Sequence, residues 1–147
     1  MRAIVAVISI GLLACGHPTP VPVAYETTVV KASYGRTWAA TLEEFSSRSI
    51  PLKSADRVSG VIITDVLHLD PSYYPGADCG DPGFGSSKFV PSQGTFSALV
   101  RGDSTQSNVR VSARWISVGS GNTALCSTRG VWEQAFQNSV RSVAEKK

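Results

Sequence analysis

The chain predicts an α+β fold: one antiparallel sheet of about five to six strands with two amphipathic helices on one face. Two observations carry this. Apolar residues recur at helical spacing in two stretches, from Trp38 to Phe45 and from Trp132 to Val143. Between them, short β-branched runs alternate apolar with polar residues and are punctuated by glycine turns. The order is therefore strand, helix, several strands, helix. Each helix has a single apolar stripe, so one sheet carrying both helices on the same face buries every apolar surface.

Residues 25–32 (YETTVVKA) are β-branched and read as a first strand, after which Ser33 suits an N-cap. In the helix over 34–47, Trp38, Leu42 and Phe45 form the inner stripe, while Glu43 and Glu44 face away. Residues 50–56 (IPLKSAD) make a short strand, and Pro51 places it at an edge. Residues 58–69 alternate so that Val61, Ile63, Leu67 and Leu69 share a face, interrupted by Asp65. Residues 70–93, rich in proline and glycine, have no usable period and read as a long loop. Residues 95–101 (TFSALVR) form a strand with Phe96, Ala98 and Val100 on one side, followed by a turn at Gly102-Asp103-Ser104. The clearest strand is 108–118, where Val109, Val111, Ala113 and Trp115 alternate with Arg110, Ser112 and Arg114. A hairpin loop at 119–122 leads to a strand over 123–128. The last helix, 131–145, buries Trp132, Phe136, Val140 and Val143 and sets Glu133 near its positive N-terminal end. All three tryptophans thus fall on core stripes.

The N-terminus carries a different signal. Arg2 is the only charge before Glu26, and residues 3–14 are almost wholly apolar. Twelve residues rise about 18 Å as a helix, against roughly 30 Å of hydrocarbon, so the run is short for a span and reads as an export signal over 1–14. Leu12-Leu13-Ala14-Cys15 resembles the bacterial lipobox. That resemblance implies a diacylglyceryl group on the Cys15 thiol and cleavage before it. Several acyl chains hold a protein on a membrane almost permanently. Gly16 stands where an Asp would signal inner-membrane retention, and by the same resemblance this favours the periplasmic face of the outer membrane. Residues 15–24 (CGHPTPVPVA) alternate prolines and form an extended tether of about 3.1 Å per residue. Residues 25–147 are then a single domain.

The chain has three cysteines. With Cys15 acylated, Cys79 and Cys126 remain, and an oxidising compartment permits their bridge. Closing a loop of roughly 50 residues contributes about 4 kcal/mol in the chain-entropy model. The alternative is a thiol nucleophile at either position paired with His68. Basic and acidic residues number 14 and 11 and are scattered, which leaves nucleic acid unsupported as a partner.

The strand–helix–strands–helix order resembles the helix-grip arrangement and, more narrowly, the BamC family of lipoprotein subunits of the machinery that inserts outer-membrane β-barrels. The resembling residues are Trp38, Ile50-Pro51, Asp56 and Ser59-Gly60-Val61-Ile62-Ile63-Thr64. Over residues 25–70 the resemblance lies in these residues, and beyond them in element order alone. It implies the fold. BamC carries two such domains and a long partner-binding segment, and the Cys79–Cys126 bridge is not part of its pattern.

Candidate chemistry is sparse. Asp65, His68 and Asp70 make a poor zinc set, because 68 and 70 share a strand face and 65 points away. Asp70, Asp78 and Asp81 raise calcium, but their spacing fits no EF-hand. Residues 80–85 (GDPGFG) have the glycines of a phosphate cradle without its strand-to-helix context. Arg101-Gly102-Asp103 reads as turn chemistry. No catalytic set, metal or cofactor is expected. Tyr73 and Tyr74, adjacent in an irregular loop, and Arg110 and Arg114, on the polar face of their strand, are the candidate partner-binding residues. The expected function is a membrane-anchored, non-catalytic module binding an envelope protein. The alternative is a carrier of a small hydrophobic ligand in a cavity under the last helix, for which Ala98, Ala113 and Ala135 leave room and Trp115, Trp132 and Phe136 do not.

Overall fold

The computed structural model describes residues 26–80, 89–119 and 122–146. The expected export signal, lipobox and tether, Asp81 and most of the glycine-rich stretch 80–85 lie outside them. The described chain is α+β, with two helices and a sheet whose pairings are all antiparallel. Strand β1 (Thr28–Val30) leads into helix α1 (Tyr34–Ser47), whose N-cap is Ser33, its hydroxyl accepting from the Arg36 N–H. Then come β2 (Leu52–Asp56), β3 (Val61–Thr64), β4 (Leu67–His68), a 3₁₀ helix (Pro71–Gly76) and β5 (Ala77–Asp78). Two long strands, β6 (Gln93–Gly102) and β7 (Ser107–Gly119), precede β8 (Asn122–Thr128) and helix α2 (Val131–Glu145).

Eight strand segments fill six positions, in the order β2-β3-β6-β7-β8-β5, because β4 pairs with β6 beyond β3, and β1 pairs with β7 beyond β8. The sheet is thus as wide as the sequence predicts, with two of its positions built from two short pieces each. β6 and β7 are in register from Gln93↔Ile116 to Gly102↔Ser107. That register puts Phe96, Ala98, Val100, Val109, Val111, Ala113 and Trp115 on one face, all buried. Both helices pack there: the Phe45 and Phe136 rings meet at 4.5 Å between centroids, and Trp132 stacks on Phe96 at 4.1 Å. The other sheet face carries no layer among the described residues, as one-sided alternation on an antiparallel sheet dictates.

Two expectations are corrected. Ile62 and Thr64, not Val61 and Ile63, face the core; Ile63 is exposed. The reason is register. Ile62 lies opposite the inward Ala98, whereas Leu67 lies opposite Gly94, so the ladder slips by one residue between β3 and β4. A one-residue slip exchanges faces, and a single alternation cannot describe both segments. Glu44 does not face away but is buried. Arg48 at i+4 donates to its Oε1 through Nε at 2.6 Å, and Ser139 of α2 donates to Oε2 at 2.6 Å. Helix–helix packing thus turns a polar position into a buried cross-link. The Arg48 guanidinium lies 5.2 Å from the Phe136 ring centre and 5.6 Å from that of Trp132, within the range of cation–π attraction.

Gly60 closes the β2–β3 hairpin with φ 68°. A Cβ there would stand 2.1 Å from the Val100 carbonyl oxygen, whose own N–H donates to Gly60 O. Only glycine fits this position.

Candidate functional site

Residues 70–80, expected to be loop, are partly ordered into structure. Asp70 caps the 3₁₀ helix, its Oδ1 accepting the Ser72 N–H at 2.8 Å, and Pro71 occupies the first turn where its missing N–H costs nothing. The signal was present as Asp-Pro. Hydrogen bonding from Ser72 holds the Asp70 carboxyl below the usual carboxylate range. Gly76 comes so close to Trp115 that a Cβ would meet Cζ2 at 3.0 Å. β5 then pairs with the end of β8, and Cys79 and Cys126 are bonded, S–S 2.03 Å. The bridge expected from the cysteine count is therefore present, and it fastens this segment to the sheet edge.

The two adjacent tyrosines part company. Tyr73 turns inward, its ring 6.1 Å from Phe96, 6.3 Å from Trp115 and 6.4 Å from Trp132, at the margin of the aromatic core. Burial, with the Asp70 carboxylate adding to it, raises its phenol above the ordinary tyrosine value, while Arg48 opposes the shift. Tyr74 is half-buried and lines an open groove of about 510 Å³ with Ala77, Phe89, Val90, Pro91 and Arg129. Arg129 pairs with Asp78 across that groove at 3.3 Å, and the Gly80 N–H and Arg129 together lower the Asp78 carboxyl. On the other side of the 3₁₀ helix, Arg48, Asp70, Ser72, Tyr73 and Trp132 line a second groove of about 450 Å³.

Arg110 and Arg114 are exposed on the helix-free sheet face, as their alternation predicts. The tyrosines and these arginines therefore mark two separate surfaces. Under α2, Phe45, Phe96, Trp115 and Phe136 are almost fully buried, with Trp132 stacked among them. Ala98 and Ala113 face this cluster, whereas Ala135 is exposed on the outside of α2.

Asp65, His68 and Asp70 do not gather. Among the described residues no three His, Cys, Asp or Glu side chains could share a metal ion. Asp103 of the Arg-Gly-Asp stretch accepts from the Thr105 N–H and hydroxyl and the Gln106 N–H at 2.7–3.0 Å, and it holds the β6–β7 turn. Sequence reasoning did not find the polar relay at the start of α2. There the Gly130 N–H donates to Thr128 Oγ1 at 3.1 Å, and that hydroxyl donates to the buried Glu133 at 2.6 Å. The motif is a capping box routed through a hydroxyl from the preceding strand, so no local spacing announces it. Glu133 Oε2, Gln137 Oε1 and Trp115 Nε1 are buried without a hydrogen-bond partner among the described residues. No helix of the described residues is long and apolar enough to cross a membrane.

No protein-family model matches the chain, and no curated protein matches it.

Proposed function

We propose that the chain is a lipid-anchored periplasmic module, acylated at Cys15, that binds another envelope protein and performs no catalysis itself. The observation that carries this reading is the interior beneath α2. Aromatic rings pack there, stacked, tilted or edge-on, at 4.1–5.3 Å between centroids, which leaves recognition to the surface rather than to a cavity. The groove beside Tyr74 supports a protein partner. It is bounded by apolar Phe89, Val90 and Pro91 and by the Asp78–Arg129 pair, the mix of aromatic anchor and polar rim that protein interfaces use. The lipobox-like Leu12-Leu13-Ala14-Cys15 supports the anchor, and the proline-rich 16–24 supplies the spacer.

Two measurements test this. Mass analysis of the mature polypeptide is expected to find Cys15 at the N-terminus carrying acyl chains; an unacylated or absent residue 15 overturns the anchor. Affinity isolation from detergent-solubilised membranes is expected to recover a protein partner that Tyr74→Ala loses. Equal recovery with that variant overturns the groove. Tyr73→Phe, which keeps the ring packed against Phe96 and Trp132, serves as a control in the neighbouring position.

A further inference from the structure

We propose that the helix-free face of the sheet docks on an anionic membrane surface. Antiparallel partners share a face, so the register fixes its rows. Arg101 lies opposite Asn108, which lies opposite Val29; Leu99 lies opposite Arg110; Ser97 lies opposite Ser112; Thr95 lies opposite Arg114; and Ile116 lies opposite Leu125. Arg101, Arg110 and Arg114 are all exposed, and none joins an ion pair among the described residues. Arg110 and Arg114 stand about 13 Å apart along β7.

The carboxylates on or next to these rows lie at the margins of the face: Asp65 follows the outward Ile63 by two residues and is exposed, and Asp103 holds the β6–β7 turn two residues beyond Arg101. Asp56, opposite Val61 at the β2 edge, holds the Val58 N–H, and Asp78, opposite Ser127, pairs with Arg129. Asp56 lies three strands from Arg110, about 14 Å away, beyond the Debye length of about 8 Å at physiological salt. The two charged residues at the centre of the face, Arg110 and Arg114, are therefore both positive. Between and beside the arginines the outward residues are apolar or small: Val61, Ile63, Leu99, Ser97, Ser112, Ile116, Val118 and Leu125. Among them Leu125 is 67% exposed, Val118 50% and Ile63 41%. Cationic heads and apolar side chains in one plane suit the boundary between lipid headgroups and acyl chains. An acidic protein would leave those apolar side chains to find further partners. The chain before Glu26 joins β1 beside Arg110, since Thr28 lies opposite Val109. For proximity alone the inference rests on the anchored reading: a tether entering there keeps this face within reach of the bilayer.

Flotation of the full chain tests this, with vesicles of phosphatidylcholine alone and with phosphatidylglycerol added. Each arginine is expected to contribute about fivefold to the preference for anionic vesicles. The triple variant Arg101→Gln, Arg110→Gln, Arg114→Gln should lose about a hundredfold of it, with an unchanged thermal midpoint because none of the three is paired. The triple Lys variant should retain the preference, because headgroup attraction reads charge, whereas a carboxylate fork on a protein partner requires the guanidinium. Equal preference in wild type and the Gln variant, or its loss in the Lys variant, overturns the proposal. Loss of acylation changes binding to both vesicle types and leaves their ratio intact, so failure of the anchor and failure of the face are separable.

Discussion

Glu44 and Arg48 show how one residue's role depends on what meets it. Glu44 is buried with both oxygens engaged, one by Arg48 and one by Ser139. Glu44→Ala leaves the guanidinium beside two aromatic rings with no counter-charge. Arg48 keeps some solvent access, 30% for its side chain, so the cost should fall below the full penalty of a buried pair, at about 2 kcal/mol. Urea unfolding checks it. Tyr73 gives a pH signature of the opposite kind. Its folded phenol titrates above the ordinary tyrosine value, chiefly through burial, so the folded state keeps a proton that the unfolded chain gives up. The stabilisation is complete below the ordinary tyrosine value, near pH 10, and is lost as pH rises through the folded value. Thermal midpoints should decline above about pH 10, and less so in Tyr73→Phe. Asp103 has the reverse sign. The Gln106 and Thr105 N–H groups and the Thr105 hydroxyl hold its carboxyl low. Its contribution is present above the ordinary carboxylate value and is lost as pH falls through the folded one; Asp103→Asn should flatten that acid limb.

At the level of elements, the sequence was legible wherever a local pattern decides the outcome. The predicted bounds of both helices coincide with the structure, because the Ser33 cap and the two apolar stripes are local signals. β7 follows from its alternation, and Asp103 behaves as a turn residue. Three features were not legible, two because their cause is distant in sequence and the third because its spacing matches no standard cap. The face exchange between β3 and β4 is set by register against β6. The Glu44 cross-link is set by α2. The α2 cap is routed through Thr128 to Glu133. Thr128→Val should strand that buried carboxylate and cost about 2 kcal/mol, read by chemical denaturation. Gly60→Ala should cost more than 2 kcal/mol, because both its φ of 68° and the Val100 carbonyl at 2.1 Å forbid a side chain. For the candidate site, sequence placed Arg110 and Arg114 on the open face correctly but could not separate Tyr73 from Tyr74, since the 3₁₀ geometry decides which ring enters the core.

At the scale of the whole fold, the described residues form two layers closed at one margin by a covalent staple. The Cys79–Cys126 bridge joins residues 47 apart, and its reduction should cost about 4 kcal/mol in chain entropy. The loss should appear first as hydrogen exchange in β5 and the 3₁₀ helix, the parts it ties to β8. The ends of the sheet have a further consequence. One ends in β2, which follows Pro51, carries Lys53 and has a register shift between Leu52 and Ser54; the other ends in β5, two residues long. Proline, a bulge, a lysine and brevity are the devices by which natural sheets refuse to extend into a neighbour's backbone. Copies brought close together would therefore stay discrete at these two margins instead of zipping strand to strand.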